Sequence, residues 1–170
     1  SEGRTEQAEL LGNKGANLCE LTHLGIDTPS GFIISTAACK EFLNNGDKNT
    51  LREIWNQITD HIAILENKTG QKFGDVENPL LVSVRSGSSV SMPGMMDTFI
   101  NVGLTEENAA SIGARLNTPD ASERLFTALQ ISFNKAGVTV VPSDAFDQLE
   151  TAIGLVFSSW NNDRAVQYRR

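Results

Sequence analysis

The stretch from Leu80 to Thr98 constrains the fold most, because its character changes abruptly at one cation. Leu80-Leu81-Val82-Ser83-Val84 reads as a buried strand, and Arg85 stands at its far end. Then follow Ser86-Gly87-Ser88-Ser89-Val90-Ser91-Met92-Pro93-Gly94-Met95-Met96-Asp97-Thr98, mostly small residues with two glycines and a proline. Small residues let backbone N–H groups approach an anion, and glycine reaches the φ > 0 angles that turn successive N–H groups toward one point. A guanidinium at the mouth of such a loop adds a planar fork of donors that matches phosphate oxygens. The pattern suggests a grip on phosphate. The plainer alternative is a strand entering a tight surface turn, with Arg85 solvated or paired to a carboxylate, since Gly/Ser/Pro clusters mark loops of every kind. Neither G-x-x-x-x-G-K-[ST] nor a strand-following G-x-G-x-x-G occurs, which argues against a P-loop or Rossmann site.

A second candidate cation is Lys14, flanked by Gly12 and Gly15. Leu18, Leu21 and Leu24 stand three apart and predict a short helix with one apolar face, closed by Gly25. Lys14 lies at the entrance of that helix, where backbone N–H groups lack partners and the dipole favours an anion. There it either reaches a phosphate as a point charge or is simply solvated. Composition makes local cations matter. The net charge is −7 and the isoelectric point about 4.8, so a nucleic-acid surface is not expected, and an anionic ligand must be met by a few concentrated cations.

Along the rest of the chain, residues 1–9 are polar and read as poorly ordered. Phe32-Ile33-Ile34-Ser35 reads as a short buried strand, and Thr36 as the cap of a helix to about Leu43. Leu51, Ile54, Trp55, Ile58, Ile62 and Leu65 form the clearest amphipathic stripe, a core face without chemistry. His61 beside it reads as a packed or surface histidine. His23 has no His or Cys partner at ligand spacing, so no metal site is expected. Thr98 to Leu104 looks extended. From Thr105 onward helical patterns dominate: one helix from Thr105 to Leu116, one capped at Thr118-Pro119 and running to Gly137, and one capped by Ser143 with Phe146, Leu149, Ile153, Phe157 and Trp160 on one side. The shift divides the chain into 1–103, an α/β subdomain carrying the phosphate loop, and 104–170, a helical subdomain that reads as truncated.

With 39% hydrophobic and 21% charged residues, 170 residues hold one domain or two small ones. Cys19 and Cys39 lack C-x-x-C spacing and are expected to be free thiols in a reducing compartment. No apolar run approaches the ~18 residues of a membrane span. The chain starts without Met and stops inside a helical pattern, so it reads as an excised piece.

Several motifs together carry a family resemblance. Gly12-Asn13-Lys14-Gly15-Ala16-Asn17-Leu18 resembles the G-G-K-G-A-N-L of the pyruvate phosphate dikinase and phosphoenolpyruvate synthase family. Pro29-Ser30-Gly31-Phe32 is similar to its P-P-G-F, and Val82-Ser83-Val84-Arg85-Ser86-Gly87 to its V-S-V-R-S-G. Phe157-Ser158-Ser159-Trp160-Asn161-Asn162-Asp163-Arg164-Ala165-Val166-Gln167-Tyr168-Arg169 resembles F-x-S-W-x-x-x-R-A-x-x-Y-R. These occur in family order from Leu10 to Arg170. Ser91 to Thr98 is similar to the dikinase form of the loop rather than the synthase form. Asn13 replaces the second glycine of the first motif, as a residue that tolerates φ > 0 better than most.

The resemblance implies an α/β (α+β) fold, the first part of an ATP-grasp-like nucleotide-binding domain with a small mixed sheet, helices and a helical subdomain. It implies transfer of the β-phosphoryl of ATP to a histidine on a swivelling domain, and thence to pyruvate, giving phosphoenolpyruvate, AMP and, with phosphate, pyrophosphate. Lys14 and Arg85 are implied as catalytic groups holding the ATP phosphates. Ser86, Gly87, Gly94, Met95, Asp97 and Thr98 are implied to cover the triphosphate, and Arg124 to contact phosphate. Magnesium ligands and the adenine pocket belong to a second half that this chain lacks, so the chain alone is expected to be inactive. The implied partners are ATP or AMP, pyruvate, phosphate and the swivelling domain, in a homodimeric enzyme without nucleic acid or membrane. The implied location is the cytoplasm, with a plastid or other organelle left open. Alternatives are a phosphoenolpyruvate synthase nucleotide domain, a binding module that has lost catalysis, or an α/β piece whose glycine loop is purely structural.

Overall fold

The computed structural model describes residues 2–45, 48–89, 92–118 and 120–170. Its elements run α1 (Ala8–His23), α2 (Thr36–Asn45), α3 (Lys48–Thr69), β1 (Lys72–Phe73), β2 (Pro79–Leu80), β3 (Val82–Arg85), β4 (Thr98–Val102), α4 (Glu106–Arg115), α5 (Ala121–Lys135), α6 (Ala145–Ser158) and α7 (Asp163–Arg169), with 3-10 turns at Thr5–Gln7 and Ser159–Asn161. The fold is α+β. Two compact units interleave along the chain: residues 1–61, 86–96 and 157–170 form the first, and 62–85 with 97–156 the second.

In the first unit the order begins earlier than the polar composition of residues 1–9 predicts. The Arg4 N–H donates to Gln7 Oε1 (2.9 Å), and the Gln7 N–H donates to the Arg4 carbonyl (3.1 Å), closing the first turn. Helix α1 then breaks its helical geometry at Gly12, with φ 70° and ψ 157°. The leucine face expected to be buried is outside: Leu18, Leu21 and Leu24 are all exposed. Gly12, Gly15, Ala16 and Cys19 form the buried stripe instead. Small residues win there because the backbone comes close to its neighbour; a Cβ on Gly15 would lie 2.8 Å from Ile33 Cδ1.

The strand expected at Phe32–Ser35 is an extended segment outside any sheet, with Phe32 and Ile34 half-buried and Ile33 exposed. Ser35 rather than Thr36 caps α2, its Oγ accepting from the Ala38 N–H at 3.3 Å, while the Thr36 hydroxyl donates to the Glu9 carbonyl. The ring of Phe42 on α2 meets that of Phe157 edge-on at 5.2 Å. The stripe on α3 is a core face as its spacing predicts, with Leu51, Ile58, Ile62 and Leu65 buried, and Gly70 ends the helix at φ 69°.

In the second unit the strand expected from Leu80 onward is split between two sheets. Strand β2 pairs in parallel with β1, and β3 pairs antiparallel with β4. The β3–β4 register slips by one residue between Val82 and Val84, where Asn101 on β4 takes φ 59° and its amide donates to the Leu125 carbonyl at 3.1 Å. A bulge of this kind bends the strand and lets a side chain tie the sheet to α5. Phe99 on β4 packs edge-on to Phe133 of α5 at 4.8 Å, both fully buried.

A buried polar hub fixes the turn after β4. Gln148 accepts from the Gly103 N–H (3.0 Å) and donates to the carbonyls of Leu104 (2.9 Å) and Pro142 (2.8 Å). Asn108 donates to the Gly103 carbonyl (2.9 Å) and completes a capping box with Thr105, the residue expected to open α4. Two caps differ from expectation. Asp144 rather than Ser143 starts α6, its Oδ1 accepting from the N–H groups of Phe146 and Asp147. Helix α5 begins at Ala121 after Asp120, so Thr118 is not its cap, and the expected role of Pro119 lies outside the described residues.

Candidate phosphate-binding site

The first unit brings two motifs more than seventy residues apart into direct contact. The Lys14 Nζ donates to the Ser86 carbonyl at 3.2 Å. The Asn13 N–H donates to the Ser88 carbonyl at 2.8 Å, and its side-chain Nδ2 to the Ser89 carbonyl at 2.7 Å. A Cβ on Gly12 would overlap the Gly87 carbonyl oxygen. Glycine is therefore needed at 12 twice over, for its positive φ and for the close approach. Asn13 is not among the positive-φ residues, so the expectation that it substitutes for a glycine by tolerating φ > 0 is corrected: its backbone is ordinary, and its amide holds the loop.

The other arm of the loop is buried at Met92 and turns at Gly94 with φ 70°, where the Met95 N–H donates to the Met92 carbonyl at 3.3 Å. Asn162 reaches this arm, its Nδ2 donating to the Met95 carbonyl at 2.9 Å. Its Oδ1 accepts from the Ala165 N–H at 2.8 Å and so caps α7. Val90 and Ser91 lie outside the described residues. Nearby on the chain, Arg169 stacks over Trp160 with its guanidinium 4.0 Å from the ring centroid. Such stacking on an indole face is a cation–π contact.

The remaining candidates belong to the second unit. Arg85 ends β3 opposite Thr98, which starts β4, and both are exposed. Asp97 is half-buried, and Arg124 lies exposed on the first turns of α5. Lys14, Ser86, Gly87, Gly94 and Met95 are thus gathered in one unit, and Arg85, Asp97, Thr98 and Arg124 in the other. The contribution of Asn162 was missed at the sequence level. Its place in Asn161-Asn162-Asp163 signals a turn and a helix cap, but an amide has two ends, and only the fold reveals where the second points.

Among the described residues, no group of three or more His, Cys, Asp or Glu side chains could hold a metal ion. Cys19 is a buried free thiol and Cys39 a half-buried one; burial pushes the Cys39 thiol up to about 11. No helix among the described residues is long and apolar enough to cross a membrane.

A glycine–lysine segment of α1 docks on a small-residue loop within an α+β fold, and the chain carries neither the P-loop nor the Rossmann motif. The family model of the pyruvate phosphate dikinase AMP/ATP-binding domain matches residues 8–61 and 51–170. The chain belongs to that family. It is 35% identical to the pyruvate, phosphate dikinase of Clostridium symbiosum over 217 aligned positions, covering 99% of this chain and 25% of that protein. The pyruvate, phosphate dikinase of Rhizobium meliloti is 36% identical, with 99% and 24% covered, and the chloroplastic pyruvate, phosphate dikinase 1 of Oryza sativa 34%, with 99% and 23% covered. The chain spans about a quarter of the length of these relatives. The aligned span exceeds its 170 residues, so the relatives hold residues within it that this chain lacks.

Proposed function

We propose that this chain holds the phosphates of ATP for a dikinase-type phosphoryl transfer. The observation that carries the reading is the docking of Gly12-Asn13-Lys14 on Ser86–Ser89, which fixes a lysine beside a small-residue loop. An ammonium has three donors, and the Ser86 carbonyl takes one of Lys14's, leaving it able to meet an anion. In the longer enzyme the β-phosphoryl of ATP passes to a histidine on a swivelling domain and then to pyruvate, while the γ-phosphoryl is taken by inorganic phosphate, giving phosphoenolpyruvate, AMP and pyrophosphate. The family resemblance supports Lys14 and Arg85 as the charge-neutralising groups and Ser86, Gly87, Gly94, Met95, Asp97, Thr98 and Arg124 as phosphate contacts. The groups around the nucleotide act by positioning and electrostatic stabilisation, the covalent step falling to the histidine of the swivelling domain. The family resemblance supports magnesium ligands in another part of the longer enzyme, and the chain by itself is expected to bind without turnover.

Fluorescence titration of Trp160 and Trp55 with Mg-ATP tests this reading. Lys14→Ala is expected to weaken binding about tenfold or more, the worth of one charge-assisted hydrogen bond. Equal affinity in wild type and variant would contradict it.

A further inference from the structure

We propose that Asn162 and Asn13 are positioning residues that clamp the two arms of the loop by its carbonyls, so that its N–H groups face the phosphates. This rests on the phosphate reading above and names how the loop is held to serve it. All of the contacts lie within the first unit.

On the first arm the carbonyls of Ser86, Ser88 and Ser89 are taken by Lys14 Nζ, the Asn13 N–H and Asn13 Nδ2. On the second arm the Met95 carbonyl is taken by Asn162 Nδ2. In a trans peptide the C=O of one residue and the N–H of the next point in opposite directions. Holding the carbonyls of Ser88 and Met95 therefore turns the N–H groups of Ser89 and Met96 away from Asn13 and Asn162, while the Ser86 carbonyl seats Lys14 beside the loop. N–H groups turned outward in this way are the donors that bind a phosphate.

Asn162 suits the task because an amide is a donor at one end and an acceptor at the other. The Ala165 N–H requires an oxygen, and the Met95 carbonyl requires an N–H, so a single orientation of the side chain satisfies both. Aspartate at 162 would keep the cap of α7, as an equally good N-cap residue. It would also place a carboxylate oxygen against the Met95 carbonyl and remove the donor. The substitution therefore separates the loop from the helix.

The test is amide hydrogen exchange on the full 170-residue chain, together with titration by inorganic triphosphate, for wild type, Asn162→Asp and Asn13→Ala. In Asn162→Asp, exchange across Met92–Asp97 is expected to accelerate about tenfold while Ala165–Arg169 stays within about twofold, and triphosphate affinity to fall roughly three- to tenfold, as losing one hydrogen bond allows. In Asn13→Ala the same changes are expected at Gly87–Ser89, which keeps the test decisive should Asn162→Asp fail to fold. Loop exchange unchanged in the folded variants would overturn the clamp, as would acceleration spread equally over α7. Triphosphate binding unaffected by either substitution would overturn the positioning role while leaving the phosphate reading intact. A folded wild-type chain that binds no triphosphate would sink the phosphate reading, and the role built on it.

Discussion

Gly12 has no room for a side chain and holds φ at 70°, so Gly12→Ala combines backbone strain with a collision against the Gly87 carbonyl. Loss of about 2 kcal/mol or more in a urea unfolding titration is expected, since strained φ and overpacking each cost on the order of 1–3 kcal/mol. The motif containing Gly12 was legible in the sequence, but the reason for each of its residues was not. Asn13 looked like a glycine substitute and is a hydrogen-bond donor to Ser89, a partner 76 residues away. Burial raises the Cys39 thiol to about 11, which means the neutral form is favoured in the fold. Between the unfolded value of about 8.5 and the folded value, the unfolded chain has lost the proton and the folded chain keeps it. That stabilisation is present below about 8.5 and is lost as pH rises toward 11. Iodoacetamide should accordingly react slowly with folded Cys39 at pH 8 to 9, and a rate rising with a midpoint near 8.5 would show the thiol to be unburied.

Helix α1 shows what periodicity settles and what it leaves open. Leucines at 18, 21 and 24 correctly predict a helix, yet the spacing of Gly12, Gly15, Ala16 and Cys19 fits an inward stripe equally well. Hydrophobic pattern ranks the leucines higher because it weighs side-chain size, whereas the packing here needs absence of size, with Ile33 lying against Gly15. Leu21→Ser is therefore expected to change stability by less than about 0.5 kcal/mol, as for a surface position. Ala16→Leu should cost about 1–3 kcal/mol by overpacking. Differential scanning calorimetry of the two variants reads both, and the reverse order would restore the leucine face to the core. Two caps were legible to within one residue, Ser35 for Thr36 and Asp144 for Ser143, because neighbouring polar residues compete and tertiary contacts choose between them. Thr36, for instance, is used to hold the Glu9 carbonyl instead.

On the scale of the whole molecule, the strand pattern was legible but the pairing was not. The apolar run from Leu80 to Val84 crosses from one two-stranded sheet to another, a break that depends on partners supplied by Lys72–Phe73 and Thr98–Val102. Nothing local marks it. The same holds for the two interleaved units, whose membership is set by contacts made after folding. The proposed phosphate grip was legible as a set of motifs because glycine, lysine and small residues advertise their chemistry locally. Its scaffold, Asn13 and Asn162, was not, since an asparagine beside a turn has a sufficient local explanation. The central claim is that this grip is already formed in the 170-residue chain. Calorimetric titration with Mg-ATP of the wild-type chain beside Arg85→Ala tests it most directly. Weak binding heat in the wild type that is lost in Arg85→Ala is the predicted result; a folded wild-type chain giving no heat, or an Arg85→Ala chain binding as well as wild type, would contradict it.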